Sequence, residues 1–277
     1  MLFVTAGLLI VVSAAIQAAE EKMIIIKGSD TMVHLVSDWA EAFMTLDPNA
    51  EVAVTGGGSG TGIAALINGT TGICASSRDM KDQEKQQAKE KGTDVREIVV
   101  ARDGIAVVVN PKNPLGELDM QQLEQIFTGA YTHWNQVGGP DEEILVFSRE
   151  SSSGTYVFFQ EHVLKKKDYT PKAKLMPATS AIIESVSSDE GAIGYVGLGY
   201  ALAAKDKVRI LAVKADANST AVMPSDETVT SGSYPIARPL YLYVNTKAPE
   251  NITAFVNFCL SDAGQAIVRK AGYVAVQ

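Results

Sequence analysis

The chain has 277 residues, of which 46% are hydrophobic and 20% charged, and it carries a formal net charge of −8. This length suits one large domain or two of ordinary size, and the composition is that of a folded globular protein. The negative charge disfavours general attraction to nucleic acid or to an anionic membrane. Two cysteines, Cys74 and Cys259, are too few for a disulfide scaffold and lack metal-ligand spacing, but a single disulfide and two buried thiols both stay open.

The first nineteen residues contain no charged side chain and end in small residues. Such a segment is typical of a secretory signal peptide, predicted here over 1–19 with cleavage near Ala18 or Ala19, although the usual positive n-region is missing. A buried or membrane-anchoring helix is the alternative. No later segment has the roughly 18 apolar residues that a membrane span needs. We therefore expect an exported protein, periplasmic or otherwise extracytoplasmic.

From residue 23 onward, short apolar runs alternate with helical patterns, which is the signature of an α/β fold. In the first part of the chain, strands are predicted over 23–26, 51–55, 72–75, 95–100 and 105–110. Helices are predicted over 32–46, 61–67 and 81–90. The first of these helices places Val36, Trp39, Ala40 and Phe43 on one face, as expected for a helix that packs on a hydrophobic core.

The second part of the chain continues the alternation. Helices are predicted over 120–127, 155–164, 181–186 and 252–270, the last with a break near Gly264. Strands are predicted over 144–147, 192–196, 208–213 and 240–244, and a loop over 217–239. The run Lys165-Lys166-Lys167 favours a cap in which positive charge complements the helix dipole.

Prolines mark two stretches, near 107–114 and 235–240, where the chain could cross between lobes. The predicted domains are a discontinuous first lobe, 23–106 with 237–277, and an inserted second lobe, 107–236. This arrangement places a cleft at the lobe interface, where small-ligand sites are common.

Four loops share one design, in which a Ser/Thr/Gly-rich segment follows a strand and precedes a helix. They are 27–31, 56–62, 76–79 and 149–155. A helix N-terminus has unpaired backbone N–H groups and the positive end of the helix dipole, so it binds oxyanions readily. Each Ser or Thr could instead only cap its own helix. Four such loops in one chain favour an oxyanion site.

Two of these loops carry an arginine, whose guanidinium matches the oxygens of a phosphate group. Arg149 is the stronger candidate, with a surface ion pair to Glu150 or a neighbour as the alternative; Arg78 is either a ligand or ion-paired. Asp30 would repel an anion unless the ligand carries a proton, as monohydrogen phosphate does and sulfate at neutral pH does not. Plain N-capping is the alternative for Asp30, and Asp79 could be the acceptor instead.

Several catalytic patterns are missing. The glycine loop 56–62 has no Gly-Lys-Ser/Thr ending, so it is not a nucleotide P-loop. Ser59 is not flanked by glycine on both sides at the spacing of a hydrolase nucleophile elbow. The three histidines lie at no zinc-like spacing. We therefore expect a binding protein without catalysis, metal or cofactor.

These loops resemble the phosphate-binding proteins of ABC phosphate importers, the PstS type. The similar stretches follow the family order across the chain: 28–31, 55–62, 75–78, 126–129, 134–135, 137–139, 149–155 and 191–195. The resemblance implies a two-lobed periplasmic-binding-protein fold (type II-like) with two crossover strands and a cleft that closes over one phosphate ion. It also implies a membrane permease as partner and, for the chain itself, a monomer.

The resemblance places ligand contacts on Asp30, Thr31, Ser59, Arg149, Ser153, Gly154 and Thr155, and we add Ser77 and Arg78 from the third loop. Where some family members have an aspartate acceptor after the third strand, this chain has Ser77. The acceptor role would then fall to Asp30, or the site would discriminate differently. Sulfate or molybdate binding and a secreted phosphatase are the alternative functions. We also expect Arg149→Ala to weaken phosphate binding greatly with little change in thermal stability.

Overall fold

The computed structural model describes residues 23–276, so the predicted signal segment lies outside the described residues. Within this range ten α-helices and eleven strands alternate along the chain. The strands are β1 (Met23–Gly28), β2 (Glu51–Thr55), β3 (Ile73–Ser76), β4 (Val95–Val109), β5 (Glu117–Asp119), β6 (Leu145–Arg149), β7 (Lys174–Met176), β8 (Ala192–Gly197), β9 (Arg209–Ile210), β10 (Ala212–Lys214) and β11 (Ala237–Asn245). The helices are α1 (Val33–Leu46), α2 (Ser59–Ile67), α3 (Asp82–Glu90), α4 (Met120–Thr128), α5 (Gly154–His162), α6 (Thr179–Ser188), α7 (Leu198–Ala203), α8 (Asp226–Thr230), α9 (Glu250–Leu260) and α10 (Asp262–Lys270).

The main sheet has the order β2-β1-β3-β11-β4-β8-β6-β7, with β9 also pairing with β4, and β5 with β10 forms a separate ribbon. β1 runs parallel to β2 and β3, whereas β11 is antiparallel to both β3 and β4. β6 is parallel to β7 and β8. This is the mixed α/β architecture that the alternating pattern predicts.

Strand β4 belongs to two parts of the sheet. Its residues 95–104 pair with β11, and its residues 105–109 pair with β8 and β9. We call β2, β1, β3, β11 and residues 95–104 the first sheet half, and residues 105–109 with β8, β9, β6 and β7 the second sheet half. The predicted strands 95–100 and 105–110 are therefore one strand of 15 residues, because the polar residues between the two apolar runs keep their ladder partners on β11.

Each sheet half has its own hydrophobic core. In the first, Val36, Trp39, Ala40 and Phe43 of α1 are buried as predicted, and the indole Nε1 of Trp39 donates to the carbonyl of Gly264 at 2.8 Å. In the second, Trp134 and Tyr195 are buried, and Trp134 donates to the carbonyl of Gly191 at 3.1 Å. Two separate cores are what a two-lobed protein requires.

The largest differences from the predicted elements lie in polar segments. Helix α5 ends at His162, so the lysines follow the helix, and Lys165 and Lys167 pair with Glu124 instead of capping it. The predicted strand 208–213 is divided into β9 and β10, the predicted loop 217–239 contains α8, and 252–270 forms two helices that meet at Ser261. The short elements β5, β7 and α7 were not predicted.

Both cysteines are buried free thiols in the structure. Burial raises the pKa of each thiol, so neither is a reactive thiolate at neutral pH. None of the helices formed by residues 23–276 is long and apolar enough to cross a membrane.

Candidate anion-binding site

Five buried hydroxyl side chains meet where the loops after β1 and β3 approach the first residues of α2 and α5. The hydroxyl of Ser29 donates to Ser77 Oγ at 2.8 Å, and the Ser77 backbone N–H donates to Ser59 Oγ at 3.0 Å. Thr31 Oγ1 lies 2.7 Å from Thr155 Oγ1. We call Ser29, Thr31, Ser59, Ser77 and Thr155 the hydroxyl cluster; none of them is more than 2% exposed.

Two helices of nine residues begin at this cluster. Helix α2 starts at Ser59 itself, and α5 starts at Gly154 with Ser153 as its N-cap, whose Oγ accepts from the Tyr156 backbone N–H at 3.4 Å. The positive ends of two helix dipoles therefore point at the same group of hydroxyls. This arrangement favours an anion over a neutral ligand or a cation.

Gly154 permits the close approach of the two helix starts. A Cβ at this position would lie 2.3 Å from Ser59 Oγ and 2.8 Å from Ser77 Oγ, which is inside van der Waals contact. The glycine loop and the 149–155 loop also touch, because the Gly60 backbone N–H donates to the Ser152 carbonyl at 2.9 Å. Residues on the first and second sheet halves thus form one site.

Arg149 lies beside the cluster and is held by acceptors on the segment from β7 to α6. Its Nε donates to the Met176 carbonyl at 3.2 Å, Nη2 to the Pro177 carbonyl at 2.9 Å, and Nη1 to Thr179 Oγ1 at 2.7 Å. Burial lowers the pKa of Arg149 while the nearby Asp30 carboxylate opposes that shift, and the guanidinium stays charged at neutral pH. The alternative predicted for Arg149 was an ion pair on the protein surface. Arg149 is buried, so that alternative is wrong.

Asp30 is the counter-ion of Arg149. Its Oδ2 lies 3.3 Å from Arg149 Nη1 and accepts the Thr179 backbone N–H at 2.6 Å. This carboxylate therefore bonds to the start of α6 on the other sheet half, and the plain N-cap alternative is wrong. Asp79, the other acceptor candidate, accepts a hydrogen bond from the Tyr241 hydroxyl.

Arg78 lies in the third loop, but its guanidinium is directed at α3. Its two terminal nitrogens bind both carboxylate oxygens of Glu84 at 2.8 and 2.7 Å, and Nη1 also donates to the Asp79 carbonyl at 2.8 Å. Burial alone would raise the pKa of Glu84, but the hydrogen bonds from Arg78 and the Lys81 backbone outweigh it and lower that pKa. Of the two readings left open for Arg78, the geometry shows the ion pair.

Sequence reasoning did not single out Arg238 or Asp103, which form a second buried ion pair at the site. Arg238 Nη2 lies 2.9 Å from Asp103 Oδ2 and donates to Thr155 Oγ1 at 3.0 Å, and Nη1 donates to the Ser77 carbonyl at 2.7 Å. Burial lowers the pKa of Arg238 and raises that of Asp103, while their mutual attraction opposes both shifts. The available signal was weak for Asp103, because β4 also carries Arg96, Glu97 and Arg102. Arg238 is the one charged residue of β11, and such a charge is rarely buried without a partner.

Comparison with known proteins first defines the class. The sequence profile of the PBP superfamily domain matches residues 13–263. A crystal structure described as a putative phosphate ABC transporter substrate-binding protein with bound phosphate, from Clostridium perfringens, matches with a TM-score of 0.84 and 32% identity, over 92% of this chain and 100% of that one. An ABC-type phosphate transport receptor from Vibrio cholerae matches with a TM-score of 0.72 and 28% identity, over 91% and 99% of the two chains. The fold is therefore the two-lobed periplasmic-binding-protein fold.

A relative in Staphylococcus aureus (strain USA300), the phosphate-binding protein PstS, identifies the family within this class of binding proteins. It is 36% identical over 254 residues, which cover 90% of this chain and 76% of the relative. This chain accordingly belongs to the PstS family.

Proposed function

We propose that this chain is an extracytoplasmic binding protein that captures inorganic phosphate and delivers it to the permease of an ABC importer. The observation that carries the proposal is the hydroxyl cluster at two helix N-termini, with a buried arginine on each side. The Staphylococcus aureus relative is a phosphate-binding protein and the Clostridium perfringens structure contains bound phosphate, and both support the same ligand.

The proposed ligand contacts come from both sheet halves. Thr31, Ser59 and Ser77 supply donors from the first half, and Ser153, Gly154 and Thr155 supply hydroxyl and backbone donors from the start of α5. Arg149 provides positive charge, and Asp30 holds that guanidinium and would accept the proton of monohydrogen phosphate. Arg78 is proposed as a weaker contact, because its charge is paired with Glu84 while its buried Nε has no hydrogen-bond partner among residues 23–276.

The lobes follow the crossover strands. We assign residues 23–106 and 237–277 to one lobe and 107–236 to the other. This division is supported by β4, which changes its partners after Gly104, and by β11, which begins at Ala237 opposite that glycine. The permease, export through the 1–19 segment and a monomeric state are parts of the same proposal.

Contacts that join the two proposed lobes support a closed arrangement. Thr31 touches Thr155, and Asp30 touches both Arg149 and the Thr179 N–H. All of these contacts require the two lobes to be close together. Because a bound anion would bond to donors from both sides, it would favour this closed arrangement and offer the permease a distinct shape to recognise.

A second candidate is a binding protein for another tetrahedral oxyanion, such as sulfate. The observation that favours it is the engagement of Asp30 with Arg149 and Thr179, together with Ser77 at the position where some relatives carry an aspartate. A hydroxyl can donate to any oxyanion, whereas a carboxylate selects a protonated one.

Titration calorimetry with phosphate, sulfate and molybdate between about pH 5.5 and 8.5 tests the proposal, because these conditions span the second ionisation of phosphate, near pH 7, and leave sulfate unprotonated. We expect phosphate to bind most tightly. Absence of binding heat with phosphate would overturn the proposed function. Equal affinity for sulfate would remove Asp30 as the proton acceptor, and turnover of a phosphomonoester that depends on Ser59 or Ser153 would show an enzyme.

A further inference from the structure

Asp103 and Arg238 lie directly opposite one another on β4 and β11, the two strands that connect the sheet halves. Their side chains are 0% and 1% exposed. Asp103 uses Oδ2 for Arg238 and accepts the Leu198 N–H on Oδ1 at 3.0 Å, at the start of α7. The pair is therefore fixed in place by two strands and a helix start.

The guanidinium of Arg238 reaches the hydroxyl cluster from this fixed position. It contacts the Ser77 carbonyl at 2.7 Å and Thr155 Oγ1 at 3.0 Å. Ser77 follows β3 in the first sheet half, and Thr155 lies in the first turn of α5. One side chain thus fixes two cluster residues that come from different loops.

The chemistry of the guanidinium sets the direction of the hydrogen bonds. Arginine has five N–H donors and no acceptor, so Thr155 Oγ1 must accept from Arg238. The single Thr155 proton is then directed away from Arg238, toward Thr31 Oγ1 at 2.7 Å or toward an anion beside it. A hydrogen bond from a charged donor is also stronger than a neutral one, so this orientation is well defined.

We propose that Arg238, held by Asp103, is a positioning residue that fixes the Thr155 hydroxyl as a hydrogen-bond donor toward the bound oxyanion. This inference rests on the proposed phosphate-binding function. Arg238 contributes to phosphate binding by orienting the Thr155 hydroxyl and not by its own positive charge, because Asp103 compensates that charge at close range. A purely structural ion pair would stabilise the fold without acting through Thr155. Its effect on phosphate affinity would then be the same with and without the Thr155 hydroxyl.

The test is a cycle of variants in which no buried charge is left unpaired. Its members are the wild type, Thr155→Val, the neutral pair Asp103→Asn with Arg238→Gln, and all three substitutions together. We expect Thr155→Val and the neutral pair each to weaken phosphate binding about tenfold, the size of one lost hydrogen bond. The triple variant should bind within about twofold of Thr155→Val alone, because Arg238 has nothing to orient once the hydroxyl is gone.

Glu124→Gln is the matched control, since it removes a buried charge that pairs with lysines away from the cluster. It should lower the urea midpoint and leave phosphate affinity unchanged. Two outcomes would overturn the role of Arg238 while leaving the proposed function intact. One is a loss of affinity in the triple variant equal to the product of the losses in Thr155→Val and in the neutral pair, and the other is wild-type affinity in the neutral pair. Failure of the wild type to bind phosphate would instead overturn the proposed function. If the neutral pair does not fold, Asp103→Asn with Arg238→Met takes its place in the same cycle with the same expected coupling, because methionine cannot donate to Thr155.

Discussion

Two aspartate–arginine pairs flank the hydroxyl cluster, and they differ in what they connect. Asp103 and Arg238 are ladder partners on neighbouring strands, 2.9 Å apart and almost fully buried. Asp30 lies in the loop after β1 and Arg149 is the last residue of β6, on the other sheet half; the two approach to 3.3 Å, and Asp30 keeps 19% exposure. The first pair exists whenever β4 and β11 are paired, whereas the second forms only when the sheet halves approach.

This difference assigns the two pairs different tasks. With the lobe closure proposed above, a pair within one ladder would contribute to the fold in both the open and the closed arrangement. A pair between the sheet halves would contribute only to the closed arrangement, so its energy would add to closure and to ligand affinity. The Asp103–Arg238 pair thus supports the scaffold and acts on binding only through the Arg238–Thr155 hydrogen bond, whereas the Asp30–Arg149 pair would act on the binding equilibrium itself.

The largest effect is expected for Asp103→Ala. It leaves the Arg238 charge buried without a partner, which should lower the free energy of unfolding by about 3–5 kcal/mol. Urea denaturation without phosphate measures the loss, with Asp30→Ala as the matched control because its carboxylate is partly exposed. Equal losses in the two variants would contradict the distinction between the pairs.

Gly154→Ala tests closure without changing a charge. The added Cβ would overlap Ser59 Oγ at 2.3 Å, so the start of α5 should no longer approach the first sheet half. We expect phosphate affinity to fall about 100-fold, or about 2.7 kcal/mol, by calorimetry. The unfolding free energy without phosphate should change by less than about 1 kcal/mol, since alanine is the better helix former. Unchanged affinity would show that this contact is not needed for binding.

Arg149→Ala should weaken phosphate binding by about 10- to 100-fold, the range for hydrogen bonds that involve a charge. The structure revises the expectation of unchanged stability, because the Met176 and Pro177 carbonyls lose their donor. We therefore expect a loss of about 1–2 kcal/mol in urea unfolding as well. Arg149→Lys provides the control that keeps the charge but not the planar fork.

The smallest effect concerns the Arg78–Glu84 pair, which is away from the cluster contacts. The folded-state pKa of Glu84 is below its unfolded value, so its stabilisation is present above the unfolded pKa and is lost as pH falls through the folded one. Glu84→Gln should therefore lower stability by about 1 kcal/mol at pH 7 and by less at about pH 3. Urea midpoints at both pH values measure this, and a constant difference would contradict the assigned pKa direction.

Local patterns predicted the elements that depend on near neighbours. The apolar face of α1 and the Ser/Thr/Gly loops are visible in short windows of sequence, and they place Thr31, Ser59 and Thr155 in one site. The partners of the charged residues could not be predicted in this way. Arg238 meets Asp103 only because β11 returns beside β4 after 135 residues, and no short-range pattern encodes that register.

The same limit explains Arg78 and Arg149. Each follows a strand and looks equally suited to a phosphate ligand from its own loop. Arg78 is taken by Glu84, six residues away on α3, whereas Arg149 meets carbonyls nearly thirty residues later in the chain. Which acceptor each arginine pairs with depends on how the neighbouring helices and strands pack, and this packing is a property of the folded chain.

The passage of β4 through both sheet halves has a mechanical consequence. The pairing of β4 with the chain of β11 extends beyond Gly104. The Ile105 N–H donates to the Ile236 carbonyl at 2.8 Å, just before β11 begins. A relative rotation of the halves, as proposed for closure, would twist the paired segments 101–104 and 237–240 about their length and leave their hydrogen bonds in place. Amide protons along these segments should accordingly exchange with solvent at the same slow rate whether the ion is bound or has been released.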